Sequence, residues 1–129
     1  NVKAQMPNQV QNPNAVKYDL EERTAVLGEC IVVFAKRLDR DAVNRVLVQQ
    51  IVRSGTSVGA NYMEADGAES KLDFRHKIAL CKKEAKETMH WLRLLATANP
   101  EHVDTCRVLW RESHEFVLIF SAILRPKEE

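Results

Sequence analysis

Residues 53–70 read Arg-Ser-Gly-Thr-Ser-Val-Gly-Ala-Asn-Tyr-Met-Glu-Ala-Asp-Gly-Ala-Glu-Ser and lie where one predicted helix ends and the next begins. Gly55 and Gly59 stand one helical turn apart, but their polar flanks are unlike the dimer face of a membrane helix. We therefore expect a neighbouring backbone or a large aromatic side chain to come close to both glycines. Gly67 is expected to close the helix as a left-handed residue, and Ser70 to cap the next helix.

Apolar residues recur every three or four positions on both sides of this stretch, which is typical of helices with one buried face. In the first predicted helix this stripe consists of Leu20, Thr24, Leu27, Ile31, Phe34 and Leu38. The predicted helices cover residues 19–38, 41–66, 70–98 and 101–124, inside a bundle domain at 18–125. Their short connections predict an all-α, antiparallel up-down-up-down four-helix bundle. The apolar residues outside the seams, described below, add the prediction that the bundle is oligomeric. Residues 1–17 are expected to form a disordered tail and residues 126–129 a C-terminal tail.

The composition argues against several classes of protein. The chain of 129 residues has the length of one domain, and its net charge of +1 gives no global attraction to nucleic acid or membrane. Four glycines and four prolines are few for an all-β protein. No apolar run approaches the roughly 20 residues of a membrane span. Cys30, Cys81 and Cys106 are far apart, which favours buried thiols in a reducing cytoplasm.

Two predicted helices carry apolar residues outside their buried seams. The seam of the fourth helix runs through Trp110 in this prediction. The additional residues are Leu80, Trp91 and Leu94 on the third helix and Leu109, Phe116 and Ile123 on the fourth. Because a monomer rarely exposes so much aliphatic and aromatic area, we predict that they form an oligomer interface. The alternative is a buried seam wider than two positions per heptad.

Several motifs together resemble a known family. They are Tyr18-Asp-Leu, then Arg53-Ser-Gly-Thr-Ser-Val-Gly-Ala-Asn61-Tyr-x-Glu64-Ala-x-Gly-Ala-Glu-Ser70, Phe74, Glu84-Ala-x-Glu87 and Trp91-Leu92. Over roughly residues 18–124 the chain resembles the four-helix-bundle proteins encoded by intervening sequences of bacterial 23S ribosomal RNA genes, which are similar to accessory proteins of diversity-generating retroelements. The resemblance implies a cytosolic homopentamer without enzymatic chemistry. Gly55 departs from the alanine that the family pattern has at that position.

Polar residues interrupt the seam of the second helix. Arg53, Asn61 and Glu64 on that helix, with Glu84 and Glu87 on the third, supply a guanidinium, an amide and carboxylates where neighbouring helices meet. Buried charges are tolerated only when they are paired. We therefore predict a structural polar network that fixes the register of the two helices.

Other chemistries find little support in the sequence. Residues 87–90, Glu-Thr-Met-His, match half of a di-iron carboxylate site, but no second copy of the motif exists. The hydroxyls of Ser54, Thr56 and Ser57 have no histidine nearby in the pattern, so bonds back to helix carbonyls are the simpler interpretation. We therefore expect no enzyme activity, cofactor, metal or small-molecule substrate.

Basic residues form the last group of candidates. The candidate nucleic-acid contacts are Lys36, Arg37, Arg40, Lys71, Arg75, Lys82, Lys83 and Lys86, with Arg45 beside the first three. Such residues give salt-dependent, sequence-tolerant binding, although interleaved acidic residues make a solvated face the alternative. No aromatic platform for stacking single strands is evident. The sequence thus predicts a non-enzymatic oligomeric bundle for binding or scaffolding, with RNA or DNA as candidate partner. The alternative is a protein–protein assembly module without nucleic-acid affinity.

Overall fold

The computed structural model describes residues 19–126 and contains four α-helices. They are α1 (Leu20–Arg37), α2 (Ala42–Asp66), α3 (Lys71–Ala98) and α4 (Val103–Leu124), with a 3-10 turn, Pro100–His102, before α4. The described part of the chain has no strand and is therefore all-α. Consecutive helices pack on each other, and α1 also contacts α4, as in a helical bundle. The predicted tail at 1–17 and all of the C-terminal tail except Pro126 lie outside the described residues.

The first three helices begin at side-chain caps. The caps are Asp19 for α1, Asp41 for α2 and Ser70 for α3, whose side-chain oxygens accept a hydrogen bond from the backbone N–H three residues on, at 3.2, 2.8 and 3.0 Å. Each bond satisfies an N–H that has no partner inside its helix. The start of α4 is different, since Pro100 stands at the first position of the 3-10 turn and α4 has no side-chain cap.

The predicted stripe of α1 forms one side of the hydrophobic core. All of its residues from Leu20 to Leu38 are buried, and Ile31 and Phe34 have no exposed surface. From α3 the core receives Ile78, Cys81, Ala85, Thr88, Leu92 and Leu95, all buried. No helix within residues 19–126 combines the length and the hydropathy needed to cross a membrane.

The buried face of α4 is wider than the predicted seam. Leu109 and Phe116, which we expected at an oligomer interface, are fully buried inside the subunit. The prediction is wrong for these two side chains because α4 packs against both α1 and α3 and turns a broad face inward. Trp110, which we expected in the seam, is 37% exposed.

The two glycines of α2 do lie where α1 comes close. A Cβ at Gly59 would stand 3.3 Å from the backbone oxygen of Thr24, and a Cβ at Gly55 would clash with Cδ1 of Ile31. The neighbour is thus a backbone at Gly59 and an aliphatic side chain, not an aromatic one, at Gly55. Gly67 has φ −95° and ψ 12°, so the left-handed closure predicted there is wrong. Its N–H still bonds to the carbonyl of Met63 at 3.3 Å, which lets α2 end in an ordinary turn.

Candidate functional site

A basic concavity lies at the turn between α1 and α2. Lys36 from the last turn of α1, Arg40 from the connection and Arg45 from the start of α2 line a hollow of about 540 Å³, together with apolar residues. Asp39 is the carboxylate that lines it. Three basic residues that the sequence places around the first turn therefore line one concavity, because the short turn brings the end of α1 next to the start of α2.

The basic residues predicted on α3 lie outside this concavity. Arg75 donates from Nη2 to the carbonyl oxygen of Leu124 at 2.6 Å, and so binds the C-terminal end of α4. Lys71, Lys83 and Lys86 are exposed, and Lys82 is half-buried. Arg75 thus has a structural role, and the lysines of α3 stay candidate contacts without a shared cavity.

An apolar groove runs along the outer side of α1 and α2. Its lining includes the small residues Ala25, Gly28, Gly59 and Ala60 in a hollow of about 670 Å³. Val32 lines both this groove and the basic concavity, so the two are neighbours. The groove was not predicted from the sequence. The sequence feature that could have predicted it is the series of small residues at helical spacing on α1 and α2. Small side chains on both helices leave a hollow along the line where the two helices meet.

The remaining residues of the predicted oligomer interface are half-buried. They are Leu80, Trp91, Leu94 and Ile123. Trp91 and Ile123 pack against the core of their own subunit. The indole Nε1 of Trp91 also donates to Glu87 Oε2 at 3.0 Å. Each side chain keeps some surface for a partner, so their role in assembly stays a prediction.

The predicted polar network is only partly assembled. Arg53 Nη1 lies 3.2 Å from Glu84 Oε2, and Arg53 Nη2 pairs with Glu87, so one guanidinium does join two carboxylates of α3. Asn61 instead donates to the carbonyl of Ser57 in its own helix at 2.9 Å. The arginine side chain is 48% exposed, so this part of the predicted network lies at the surface and is not buried.

Glu64 belongs to a separate contact. Its Oε1 lies 3.6 Å from Nζ of Lys77, another α2–α3 pair. Arg53 and Glu64 are eleven residues apart on one helix, about 16 Å along its axis, so one guanidinium does not reach both sites. The five predicted residues therefore divide into three interhelical ion pairs at two separate sites and one local hydrogen bond.

A deeply buried ion pair joins α1 to α4 and was not predicted. Arg23 on α1 donates from Nε to Oε2 of Glu112 on α4 at 2.7 Å, and from Nη2 to Oε1 at 2.6 Å. The side chains are 2% and 7% exposed. The guanidinium also lies 4.8 Å from the ring centroid of Phe116. Both residues lie among buried apolar positions of their helices. A charged residue in such a position is the sequence feature that could have predicted a buried ion pair.

Burial dominates the electrostatics of this pair. It raises the pKa of Glu112, against the opposing effects of the hydrogen bond and the charge of Arg23. Nη1 of Arg23 is buried and has no hydrogen-bond partner within residues 19–126. The pair thus links α1 to α4 at a cost in desolvation. Removal of either partner would leave the other charged group buried without this counter-charge, which is destabilising.

A second unpredicted pair joins the turn to the end of α3. The side-chain amides of Asn44 and Asn99 each donate to the oxygen of the other at 2.9 Å. Both amides also donate to backbone carbonyls, Asn44 to Asp39 and Asn99 to Leu95. The two side chains are buried, and Asn44 also lines the basic concavity. This pair holds one wall of the concavity in place.

The hydroxyls of Ser54, Thr56 and Ser57 make hydrogen bonds within the bundle, and the cysteine thiols are buried. Thr56 and Ser57 each bond to a carbonyl one turn back at 2.6 Å, and Ser54 Oγ lies 3.0 Å from the Thr88 hydroxyl inside the core. Burial raises the pKa of Cys81 to about 12 and that of Cys106 to about 11. Among residues 19–126 no group of three or more His, Cys, Asp or Glu side chains is placed to hold a metal ion.

Comparisons with known proteins agree with this architecture. A family model described as 23S rRNA-intervening sequence protein matches residues 18–122. A similar solved structure is a protein of unknown function from the S23 ribosomal protein family of Bacteroides thetaiotaomicron VPI-5482. It is 32% identical, covers 82% of this chain and 98% of its own, and superimposes with a TM-score of 0.75. No curated protein matches the chain.

Proposed function

Because the chain belongs to the family of 23S rRNA-intervening sequence proteins, we propose that it is a non-enzymatic, oligomeric helical bundle that binds or scaffolds RNA. The observation that carries this proposal is the basic concavity at the α1–α2 turn. Lys36, Arg40 and Arg45 line it, against one carboxylate from Asp39. Within residues 19–126 none of the three forms an ion pair. Cations without protein partners are free to contact phosphates.

The proposal includes self-assembly through the α1–α2 groove. Val32 and Met63 line this groove and are exposed, and the groove is mainly apolar. A second copy of the chain that covers the groove would remove this surface from water. The family resemblance drawn from the sequence implies five copies, and a ring would repeat the basic concavity once per copy. The cytoplasm is the proposed location, as expected for a chain whose three cysteines are free and buried.

An antiparallel up-down-up-down course of the helices is part of the same proposal. Support comes from contact pairs that run in opposite order along neighbouring helices. Between α1 and α2 the pairs are Thr24 with Gly59 and Ile31 with Gly55. Between α2 and α3 they are Arg53 with Glu84 and Glu64 with Lys77. Between α1 and the region of α4 they are Arg23 with Glu112 and Phe34 with His102. Under this arrangement the α1–α2 turn and the start of α4 lie at the same end of the bundle.

The alternative function is a protein–protein assembly module without affinity for nucleic acid. The apolar groove favours it, since its lining is well suited to a partner helix and carries Glu21 and Glu29 rather than basic residues. Under this alternative the basic turn is a solvated helix end, where lysine and arginine are favourable beside the C-terminal carbonyls.

A charge-reversal experiment separates the two functions. Arg40→Glu and Arg125→Glu change the net charge equally, but Arg125 lies after the end of α4 and outside the basic concavity. With a labelled hairpin RNA at low salt, we expect a mobility shift for the wild-type protein and for Arg125→Glu, and a weakened shift for Arg40→Glu. Absence of any shift for the wild type would favour the protein–protein module. Equal weakening by both variants would remove the concavity as the binding site.

Light scattering tests the assembly independently of RNA. We expect Ala25→Glu, which places a carboxylate in the apolar groove, to lower the mass of the particle. Ala79→Glu on α3 is the matched control, because Ala79 is exposed and outside the groove. A wild-type monomer would contradict the assembly proposal. An oligomer that Ala25→Glu leaves intact would place its interface elsewhere.

A further inference from the structure

A second basic surface lies between α3 and α4, where no nucleic-acid contact was predicted. Arg107, Trp110, Arg111 and His114 are three or four residues apart and therefore share one side of α4. Arg93 of α3 faces them across a hollow of about 400 Å³, which Arg93, Arg107, Trp110 and Arg111 line together with apolar residues. None of the residues predicted as nucleic-acid contacts lines this surface.

The tryptophan on this surface is available for stacking. Trp110 is 37% exposed. Its ring lies against that of His114, with centroids 5.2 Å apart and an angle of 29° between the planes. No aromatic platform was evident from the sequence, where Trp110 was expected in the buried seam of the fourth helix. The wider buried face of α4 leaves Trp110 at its margin, with part of the indole open to a ligand.

The charges of the hollow are of one sign. No carboxylate lines it. Within residues 19–126, Arg93 and Arg111 form no ion pair, and Arg107 Nη1 lies 3.5 Å from Asp104 Oδ1. Both members of that last pair are exposed, so it contributes little and is readily exchanged for another anion. The hollow therefore offers an aromatic ring surrounded by guanidinium groups.

We propose that this hollow binds an unpaired nucleotide of single-stranded RNA. The base stacks on Trp110, and phosphates on either side of it contact Arg93, Arg107 and Arg111. Aromatic rings bind bases of every kind through stacking, and arginine binds phosphate through paired hydrogen bonds. The inference rests on the proposed RNA association and adds a second, stacking site to the basic concavity at the α1–α2 turn. Single-stranded DNA presents the same base and phosphate chemistry.

Fluorescence of Trp110 provides the direct test. Trp91 and Trp110 are the two tryptophans of the chain. In a Trp91→Phe background the emission therefore reports Trp110 alone. We expect an unstructured oligoadenylate RNA of about eight nucleotides to quench it saturably at low salt. Labelled RNA in an anisotropy assay should then show an affinity loss of about 5- to 150-fold for Trp110→Ala, the range expected from removal of one stacked base.

The arginines give a second readout, which does not depend on the fold of the tryptophan variant. Arg93 and Arg111 are exposed, so Arg93→Gln/Arg111→Gln is expected to fold. Each lost phosphate contact should reduce the slope of log affinity against log salt by about 0.7. Binding of oligodeoxyadenylate is measured in the same assay and compared with binding of the RNA. Equal binding of DNA supports recognition of base and phosphate, and weaker binding supports an added contact to the 2′-hydroxyl.

Three results would overturn the inference, and the first two differ from failure of the proposed function. If RNA binding depends on Arg40 but not on Trp110 or the arginine pair, the stacking site is refuted and the RNA association stands. If Trp110→Ala lowers the particle mass in light scattering and leaves RNA affinity unchanged, the surface is a protein interface. If no RNA is bound at low salt, the stacking site and the RNA association fall together.

Discussion

Arg23 and Glu112 are 89 residues apart in sequence and are joined by two hydrogen bonds of 2.7 and 2.6 Å inside the bundle. They connect α1 to α4, the first and last helices within residues 19–126. A bidentate arginine–carboxylate pair is directional as well as charged. Its burial means that neither partner finds water if the other is removed.

We expect Arg23→Met and Glu112→Leu each to lower the free energy of unfolding by about 3–5 kcal/mol, because each leaves a buried charged group without its bidentate partner. After Glu112→Leu, the carboxylate near Arg23 is that of the partly exposed Glu115, at 3.9 Å. The double variant should regain most of this loss, since apolar side chains of similar volume then fill the site. Urea denaturation followed by circular dichroism measures all three. Additive losses in the double variant would contradict the account.

Arg53→Ala should have a much smaller effect. Its side chain is 48% exposed where it pairs with Glu84, so we expect a loss of no more than about 1 kcal/mol. The matched comparison is Arg23→Met in the same denaturation assay. If Arg53→Ala lowers the free energy of unfolding as much as Arg23→Met does, the α2–α3 pair stabilises the fold as strongly as a buried ion pair, which would contradict this expectation.

Gly28→Ala is expected to stabilise the protein by up to about 1 kcal/mol, the difference in helix propensity between the two residues. A Cβ at Gly28 would have its nearest neighbour, an atom of Thr56, at 3.7 Å, which is ordinary contact. Gly55→Ala is the control, because its Cβ would clash with the buried Ile31. Melting temperatures should rise for the first variant and not for the second. The reverse order would contradict the packing of α1 on α2.

Alkaline pH should destabilise the fold partly through Cys81. Burial raises its pKa from 9.0 to about 12 in the folded state. Between these values the unfolded chain loses the thiol proton while the folded chain keeps it, so stability falls as pH rises above 9. We expect the urea midpoint to fall less between pH 8.5 and about 10.5 in Cys81→Ala than in the wild type. Identical falls would show that Cys81 ionises normally in the fold.

Periodic apolar residues were enough to predict the helices and most of the core. Every position of the α1 stripe is buried, from Leu20 to Leu38. The stripe is readable because a helix that packs on one side repeats its apolar residues at 3.6-residue intervals. Leu109 and Phe116 were misassigned because α4 contacts two helices, and periodicity within one helix does not report how many neighbours it has.

The candidate site was less predictable because its contacts join distant parts of the chain. Sequence spacing showed that Lys36, Arg40 and Arg45 lie near a turn, which the structure brings to one concavity. No spacing relates Asn44 to Asn99, since these residues pair only after α2 and α3 have packed. Arg93 and Trp110 likewise belong to different helices, and their common hollow depends on how α3 and α4 pack.

RNA binding by the wild-type protein at several salt concentrations is the most direct test of the proposed function. Filter retention of a labelled structured RNA between about 50 and 200 mM monovalent salt gives both the affinity and the number of phosphate contacts. We expect strong retention at the lowest salt and a steep linear fall of log affinity with log salt, consistent with several basic residues in each particle. No retention at the lowest salt would contradict the RNA association and leave an assembly module whose partner is another protein.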